Sequence, residues 1–252
     1  MCKLLQMPWG EVSAYDFWIN VGSVMGAIGL LISMYALIKD KKDTLLIYLS
    51  MFVVICLGAF PARAVRGLTH GNVEDFRGLL ELFITYPGSH FIGRVLLCVI
   101  LYPVCFRLLF QKYRTLLDAV MDRYCMFLIF QHIFNRIACF YNGCCVGKYY
   151  DGIFALRYTG TGSGAGSSYP VYPAVLFECI SMIILFIIGL IRIKKKKDMT
   201  KLFEIVFGLV IFLSEFMMDH SGTIQIAGLT IVQYAALLLI ILGITKKVNH
   251  TS

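Results

Sequence analysis

The chain has 252 residues, 59% of them hydrophobic and 15% charged, with a mean hydropathy of +0.77 and a formal net charge of +8. Soluble domains run at about 45–50% apolar and 25% charged, so these values exclude an ordinary soluble domain and place the chain in a membrane. Nine cysteines do not make a secreted disulfide framework, because Cys56, Cys98, Cys105, Cys125 and Cys179 fall inside apolar runs, where cysteine packs as a small hydrophobe.

A membrane span takes about 20 predominantly apolar residues. Taken in chain order, such runs predict helices at 16–38, 44–62, 91–110, 115–140, 172–193, 202–218 and 226–244. The first is expected to serve as its own targeting signal, with no removable leader. The fourth carries Asp118, Asp122, Arg123, His132 and Arg136, so it cannot face lipid all round. The expectation is an all-α membrane protein of about seven spans, forming a single integral domain over 1–252.

Lysine and arginine in the connections set the orientation. Lys39, Lys41 and Lys42, then Arg107, Lys112 and Arg114, then Arg192, Lys194 to Lys197 and Lys201, with Lys246 and Lys247 in the tail, make fourteen on one side. Lys3, Arg63, Arg66, Arg77, Lys148 and Arg157 make six on the other. This places the N-terminus outside and the C-terminus in the cytoplasm. The basic runs "KDKKD" and "IRIKKKKD" then read as anchors against anionic lipid and not as a nucleic-acid surface.

With that orientation the remaining polar residues gather in the outer leaflet: Arg63 and Arg66 leaving the second span, His90 and Arg94 entering the third, and His132 and Arg136 in the outer half of the fourth. Asn142 to Lys148 come next, and Glu178, Glu215 and Gln233 lie at the outer ends of the last three spans. At the helix centre an arginine or aspartate costs about 2.5–3.5 kcal/mol to insert, so convergence on one polar cavity is the economical arrangement. The i,i+4 pairs His90/Arg94 and His132/Arg136 share helix faces. Arg136 ends its span before a turn, a place that suits bidentate binding of a phosphate head group. Cys139, Cys144 and Cys145 form C-x4-C-C without the second ligand pair that zinc sites usually show, so neither a metal nor any other cofactor is expected. A disulfide of Cys139 with Cys144 or Cys145 stays open. The glycine-rich "TGTGSGAGSSYP" at 159–170 lacks the Gly-Lys-Ser/Thr of a phosphate loop and reads as a flexible outer loop.

These residues resemble a known family. "NRIACFYNGCCVGK" resembles the signature of the bacterial prolipoprotein diacylglyceryl transferases, roughly Gly-Arg-x-Gly-Asn-Phe-x-Asn-Gly-Glu-x-x-Gly-Arg, through Arg136, Phe140, Asn142, Gly143 and Gly147. "YPVYPAVLFE" is similar to its His-Pro-x-x-Leu-Tyr-Glu through Pro173, Leu176 and Glu178, and "FGLVIFLSEF" to its Tyr-Gly-x-x-Arg-Phe-x-x-Glu-Phe through Gly208, Phe212, Glu215 and Phe216. "GLTIVQ" is similar to its Gly-Leu-Thr-x-Gly-Gln through Gly228, Leu229, Thr230 and Gln233, and "PAR" at Arg63 to a Gly-Ala-Arg. The chain departs from the pattern at Cys139 and Cys144 (Asn and Glu in the family), Lys148 (Arg), Tyr172 (His), Phe207 (Tyr), Ile211 (Arg) and Met217 or Met218 (Arg).

The resemblance implies transfer of a diacylglyceryl group from phosphatidylglycerol to the thiol of a lipoprotein signal-peptide cysteine, in the bacterial cell membrane, at a site facing the outer leaflet. It implies Arg136, His90 and Glu178 as catalytic residues, with Arg136 clamping phosphate and His90 as base. Arg63, Arg94, Asn142, Gly143, Gly147, Lys148, Glu215 and Gln233 are the expected substrate contacts. The acceptor can be another thiol. A lipid-binding, transporting or thiol-redox protein on the same fold is the alternative.

Overall fold

The computed structural model describes residues 4–7, 10–70, 90–158, 169–221 and 223–246. The elements are β1 (Leu4–Met7), β2 (Gly10–Ser13), α1 (Ala14–Leu37), α2 (Lys41–Leu57), α3 (Ala59–His70), α4 (Phe91–Leu109), a 3-10 turn (Gln111–Leu116), α5 (Leu117–Asn142), α6 (Ala174–Lys194), α7 (Thr200–Met217), β3 (Gln225–Ile226), β4 (Leu229–Thr230) and α8 (Ile231–Thr245). The described chain is mostly helical. Among the described residues, four stretches, Ala14–Leu37, Lys41–Val65, Phe91–Leu109 and Ala174–Lys194, are long and apolar enough to cross a membrane. They present Ile32, Val53, Leu108 and Ile187 outward, an apolar exposure that suits hydrocarbon and not water.

The helix ends have local causes. Ser13 accepts from the Asp16 amide at the start of α1, and Asp40 caps α2 through the amides of Lys42 and Asp43. Gly58 keeps right-handed helical angles, so α2 runs on into α3 and the second helix extends beyond the predicted 62. Two small hairpins, β1–β2 and β3–β4, were not expected from the apolar runs. The second replaces the start of the seventh predicted helix, because Ala227 and Gly228 take positive φ (49° and 77°) and turn the chain. Helix α8 then begins at a capping box in which Thr230 accepts from the Gln233 amide and the Gln233 side chain accepts from the Thr230 amide.

Helix α5 lies against both α1 and α6, and buries Tyr124, Leu128, Ile129 and His132 completely. Helices α7 and α8 approach closely at Gly208, where an added Cβ would sit 2.8 Å from the Ala236 carbonyl oxygen, the small-residue contact typical of helices packed in lipid. The apolar core runs through Met51, Tyr102, Phe203 and Phe207. Polar groups collect at the two ends of α5. At its start, Asp122 accepts from the amides of Met199 and Thr200 (2.9 and 2.8 Å) and from the Thr200 hydroxyl (2.7 Å), capping α7 from another helix. Its far end carries the candidate site. Arg77 and residues 159–168 of the glycine-rich loop lie outside the described residues.

Candidate active site

The sequence "NGCCVGK" builds the site by stopping α5 and pinning the chain beyond it. Gly143 adopts the left-handed conformation (φ 67°, ψ 24°) that ends the helix, and its amide donates to the carbonyls of Cys139 and Phe140. From there the chain is fastened to two other helices. The Lys148 amide donates to Met217 at the end of α7 (2.8 Å), the Asp219 amide to Val146 (3.0 Å) and the Tyr172 amide to Lys148 (3.0 Å). Gly147 sits in this ladder, where a Cβ would collide with the Tyr172 carbonyl oxygen. Three helix ends are thereby held against one short strap.

Inside the strap lies a charged centre. Arg136 donates from Nε to Glu178 Oε2 at 2.7 Å, and His132 Nε2 stands 3.0 Å from the same oxygen. With its proton on Nε2, His132 donates to the carboxylate and lies 3.3 Å from Arg136 Nε. The rings of Phe91 and Phe207 flank the imidazole with centroids 5.0 Å away, which fixes its plane. Glu178 is fully buried while the Arg136 side chain keeps 12% of its surface. A buried ion pair is held by geometry more than by net energy, and removing one partner is costly. Arg136 spends Nε on Glu178 and one Nη1 hydrogen on Cys145 Sγ at 3.5 Å, out of five N–H donors.

Above this centre opens a cavity of about 390 Å3, lined by Arg136, His90, Glu215, His132, Cys139 at the end of α5 and Cys144 and Cys145 of the strap, among others. Cys139, Cys144 and Cys145 place their sulfur atoms within 4.8 Å of one another. Hydrogen bonds from the Cys139 and Cys144 thiols, with the Arg136 charge added to them, hold the Cys145 thiol well below the ordinary thiol range. Glu215 accepts from the Thr230 hydroxyl at 3.0 Å, and His220 stands 3.7 Å from the same carboxylate oxygen and contacts the Glu215 carbonyl.

Of the expected site residues, the fold brings Arg136, His90 and Glu215 to one cavity, with Glu178 directly behind Arg136. Arg94 faces an adjoining cavity of about 140 Å3 that shares Tyr15, Phe91 and Asn135 with the first. Arg63 is half-buried on α3, beside the contact where Gly93 meets Pro61 and Ala62. Asn142 is the last residue of α5, Gly143 and Gly147 act through the backbone, and Lys148 is exposed on the strap. Gln233 is taken up by the cap of α8, and Thr230 rather than Gln233 carries the link to Glu215. His132, placed by the sequence in the outer half of the fourth predicted helix, belongs to the charged centre. Tyr15 and His220 went unmarked. Their sequence signal is position alone, Tyr15 at the start of α1 and His220 just past the end of α7.

No curated protein matches the chain. The family model described as prolipoprotein diacylglyceryl transferase matches residues 3–248. The chain therefore belongs to the prolipoprotein diacylglyceryl transferase family, a family of membrane transferases of lipoprotein biosynthesis.

Proposed function

We propose that this protein transfers the diacylglyceryl group of phosphatidylglycerol to a cysteine thiol of a lipoprotein signal peptide, at the cavity over Arg136. The protein is a single integral membrane domain of seven spans, α1, α2 with α3, and α4 to α8, with its N-terminus outside and its C-terminus in the cytoplasm. The fourteen-to-six distribution of Lys and Arg supports that orientation. It turns the cavity toward the outer leaflet of the bacterial cell membrane, where a head group and an exported peptide can meet. Helices α7 and α8 are short for a span, at 18 and 15 residues, and local thinning of the bilayer accommodates them.

The observation that carries the reading is the Arg136–Glu178–His132 centre at the cavity floor. Transfer breaks the bond between a glycerol carbon and a phosphate oxygen and forms a bond from sulfur to that carbon. The departing phosphate monoester gains charge, so a fixed cation beside it lowers the barrier. Glu178 and His132 hold Arg136 in one orientation, and its remaining N–H groups are available to phosphate oxygens. Phosphate monoester stabilisation is the step assigned to Arg136, with Arg94 assisting from the adjoining cavity. The thiol must also lose its proton, and His90 on the cavity wall is the base assigned to that step.

The test is purified protein in phosphatidylglycerol vesicles with a lipobox peptide, read by the mass gain of the peptide. Transfer to the cysteine peptide and none to its serine counterpart is expected. Folded protein that leaves the peptide unmodified, and that cannot replace the enzyme in a transferase-depleted bacterium, overturns the assignment.

A further inference from the structure

We propose that Cys139, Cys144 and Cys145 bind one zinc-class divalent cation through three thiolates, and that the fourth position, open to the cavity, takes the acceptor thiol. The second half rests on the transferase reading; the first does not.

The geometry of the three sulfurs is the starting point. They lie within 4.8 Å of one another, and a tetrahedral ion with bonds of about 2.3 Å to sulfur needs them about 3.8 Å apart, a gap that side-chain rotation closes. C-x4-C-C does not have the ligand spacing of a zinc finger. The fold supplies the convergence instead: the left-handed Gly143 folds the chain back over the last turn of α5, bringing Cys144 above Cys139, with its amide 3.2 Å from the Cys139 carbonyl. Cys145 then takes a positive φ of 59°. A residue with a Cβ enters that region at a steric cost, and such outliers persist where the surroundings impose them. Here the outlier places two adjacent cysteines together with a third.

The surroundings also suit a thiolate site. Arg136 donates to Cys145 Sγ at 3.5 Å, a contact that orients a ligand sulfur and favours its anionic form. The strap is fastened at Val146 and Lys148, so the cluster sits on a fixed frame. Exposure rises from buried Cys139 through half-buried Cys144 to exposed Cys145, so one side of the cluster is closed by protein and the other opens on the cavity. Three protein ligands and one open position is the pattern of reactive zinc sites; structural ones close all four. A disulfide joins only two of the sulfurs and gives the third no part. Cys139 and Cys144 also stand where the family pattern has Asn and Glu, so both departures exchange a hard oxygen ligand for a soft one at the same point in space.

An open thiophilic position matters to the reaction because a coordinated thiol is deprotonated outright. The acceptor thiol gives its proton to His90 on the cavity wall as it binds the ion, and its sulfur then attacks the glycerol carbon. The carbon–oxygen bond breaks toward phosphate, which leaves with the electron pair beside Arg136, and the thioether product is a weaker ligand that departs. The ion keeps its charge, and no oxidant or reductant takes part.

The experiment uses the full chain in detergent, reduced and stripped by a chelator, and titrated with Cd2+ while thiolate-to-metal absorption is followed. One equivalent is expected to give an absorbance equal to three thiolates. Cys139→Ser and Cys144→Ser should each remove about a third of it and weaken binding by at least 10-fold, with Cys56→Ser, outside the cluster, as control. Adding the lipobox cysteine peptide should raise the absorbance to that of four thiolates, and the serine peptide should not. Absence of a saturable band, or a band that Cys144→Ser leaves undiminished in height and affinity, overturns the site. A three-thiolate band that the cysteine peptide leaves unchanged, or full transfer activity in stripped protein, overturns the acceptor role while leaving the transferase reading intact. Peptide coordination without lipid transfer overturns the transferase reading and leaves the metal site standing.

Discussion

Helix α5 carries ionisable side chains withdrawn from the surface toward each end, half-buried Asp122 and the Arg136–Glu178–His132 centre, about 21 Å apart along the axis from Asp122 to Arg136, and the two are settled in opposite ways. At Asp122 a single carboxylate oxygen receives two backbone amides and a hydroxyl, all from the start of α7. Every donor is local and the group is finished. At the other end Arg136 is tied to Glu178 and His132 on one side, yet keeps donors and surface toward a cavity. Both clusters bear the cost of placing charge inside a helical bundle, but only one leaves part of its hydrogen-bonding capacity unspent. Unspent capacity next to space is what marks a site; charge in a helix does not.

The largest effect expected from breaking this contrast is at Arg136. Arg136→Ala should lower transfer by about 10^2 to 10^3-fold, the range seen when a donor to a developing oxyanion is lost. That variant also leaves Glu178 buried without its cation, at about 3–5 kcal/mol, so Arg136→Lys is the cleaner change. Lysine keeps a charge for Glu178 but not the planar fork. Thermal unfolding near that of the parent with transfer still reduced at least tenfold is the expected pair of readings. Asp122→Ala should do the reverse. It orphans the amides of Met199 and Thr200, a loss of about 1–3 kcal/mol each when the groups stay dry, while activity per folded molecule is retained. If Asp122→Ala instead abolished transfer in protein that remained folded, the division between a structural and a functional end of α5 would be lost.

How much of this was legible in the sequence depends on where each feature is encoded. Apolar length is set by local composition, and the helices at 14–37, 91–109 and 174–194 differ from their predicted limits by a few residues. Arg136 was legible because it closes an apolar run before a turn. The β3–β4 hairpin was not, because Ala227 and Gly228 read as apolar and small, and only backbone angles reveal the turn. Gln233 is an expected site residue by its depth and by the resemblance, and that its side chain completes the cap of α8 is visible only in the fold. The Glu178–His132 contact joins residues 46 apart, and the meeting of three sulfurs depends on a left-handed turn and then a second positive φ. Such pairings are tertiary, and no spacing rule contains them.

A smaller effect is expected at the helix terminus that divides the site from α5. Gly143→Ala forces a Cβ into the left-handed region at a cost of about 1–2 kcal/mol, measurable as a lower unfolding midpoint. Because the strap beyond Gly143 carries Cys144 and Cys145 back over Cys139, this variant should also loosen their cluster, whereas Asp122→Ala should not. Reaction with a thiol-directed maleimide reads that difference: Cys145 should label with altered kinetics in Gly143→Ala and with parental kinetics in Asp122→Ala.

The smallest effect concerns pH. Alkylation proceeds through the thiolate, and an ordinary cysteine with a pKa of about 8.5 reacts faster as pH rises through that value. The Cys145 thiol is held well below this range, first by hydrogen bonds from Cys139 and Cys144 and then by Arg136. A lowered pKa means that the thiolate is already present at neutral pH and is lost only as pH falls through the shifted value. Cys145 alkylation should therefore be nearly level from neutral to mildly alkaline pH, and a slope like that of a free thiol would show that the cluster does not act on it. Cys139→Ala removes a donor to that thiolate, so its profile should move toward alkaline pH. A profile that stays level in Cys139→Ala would leave the Arg136 contact at 3.5 Å as the chief support of the thiolate and tie Cys145 to the ion-pair centre more closely than to the other cysteines.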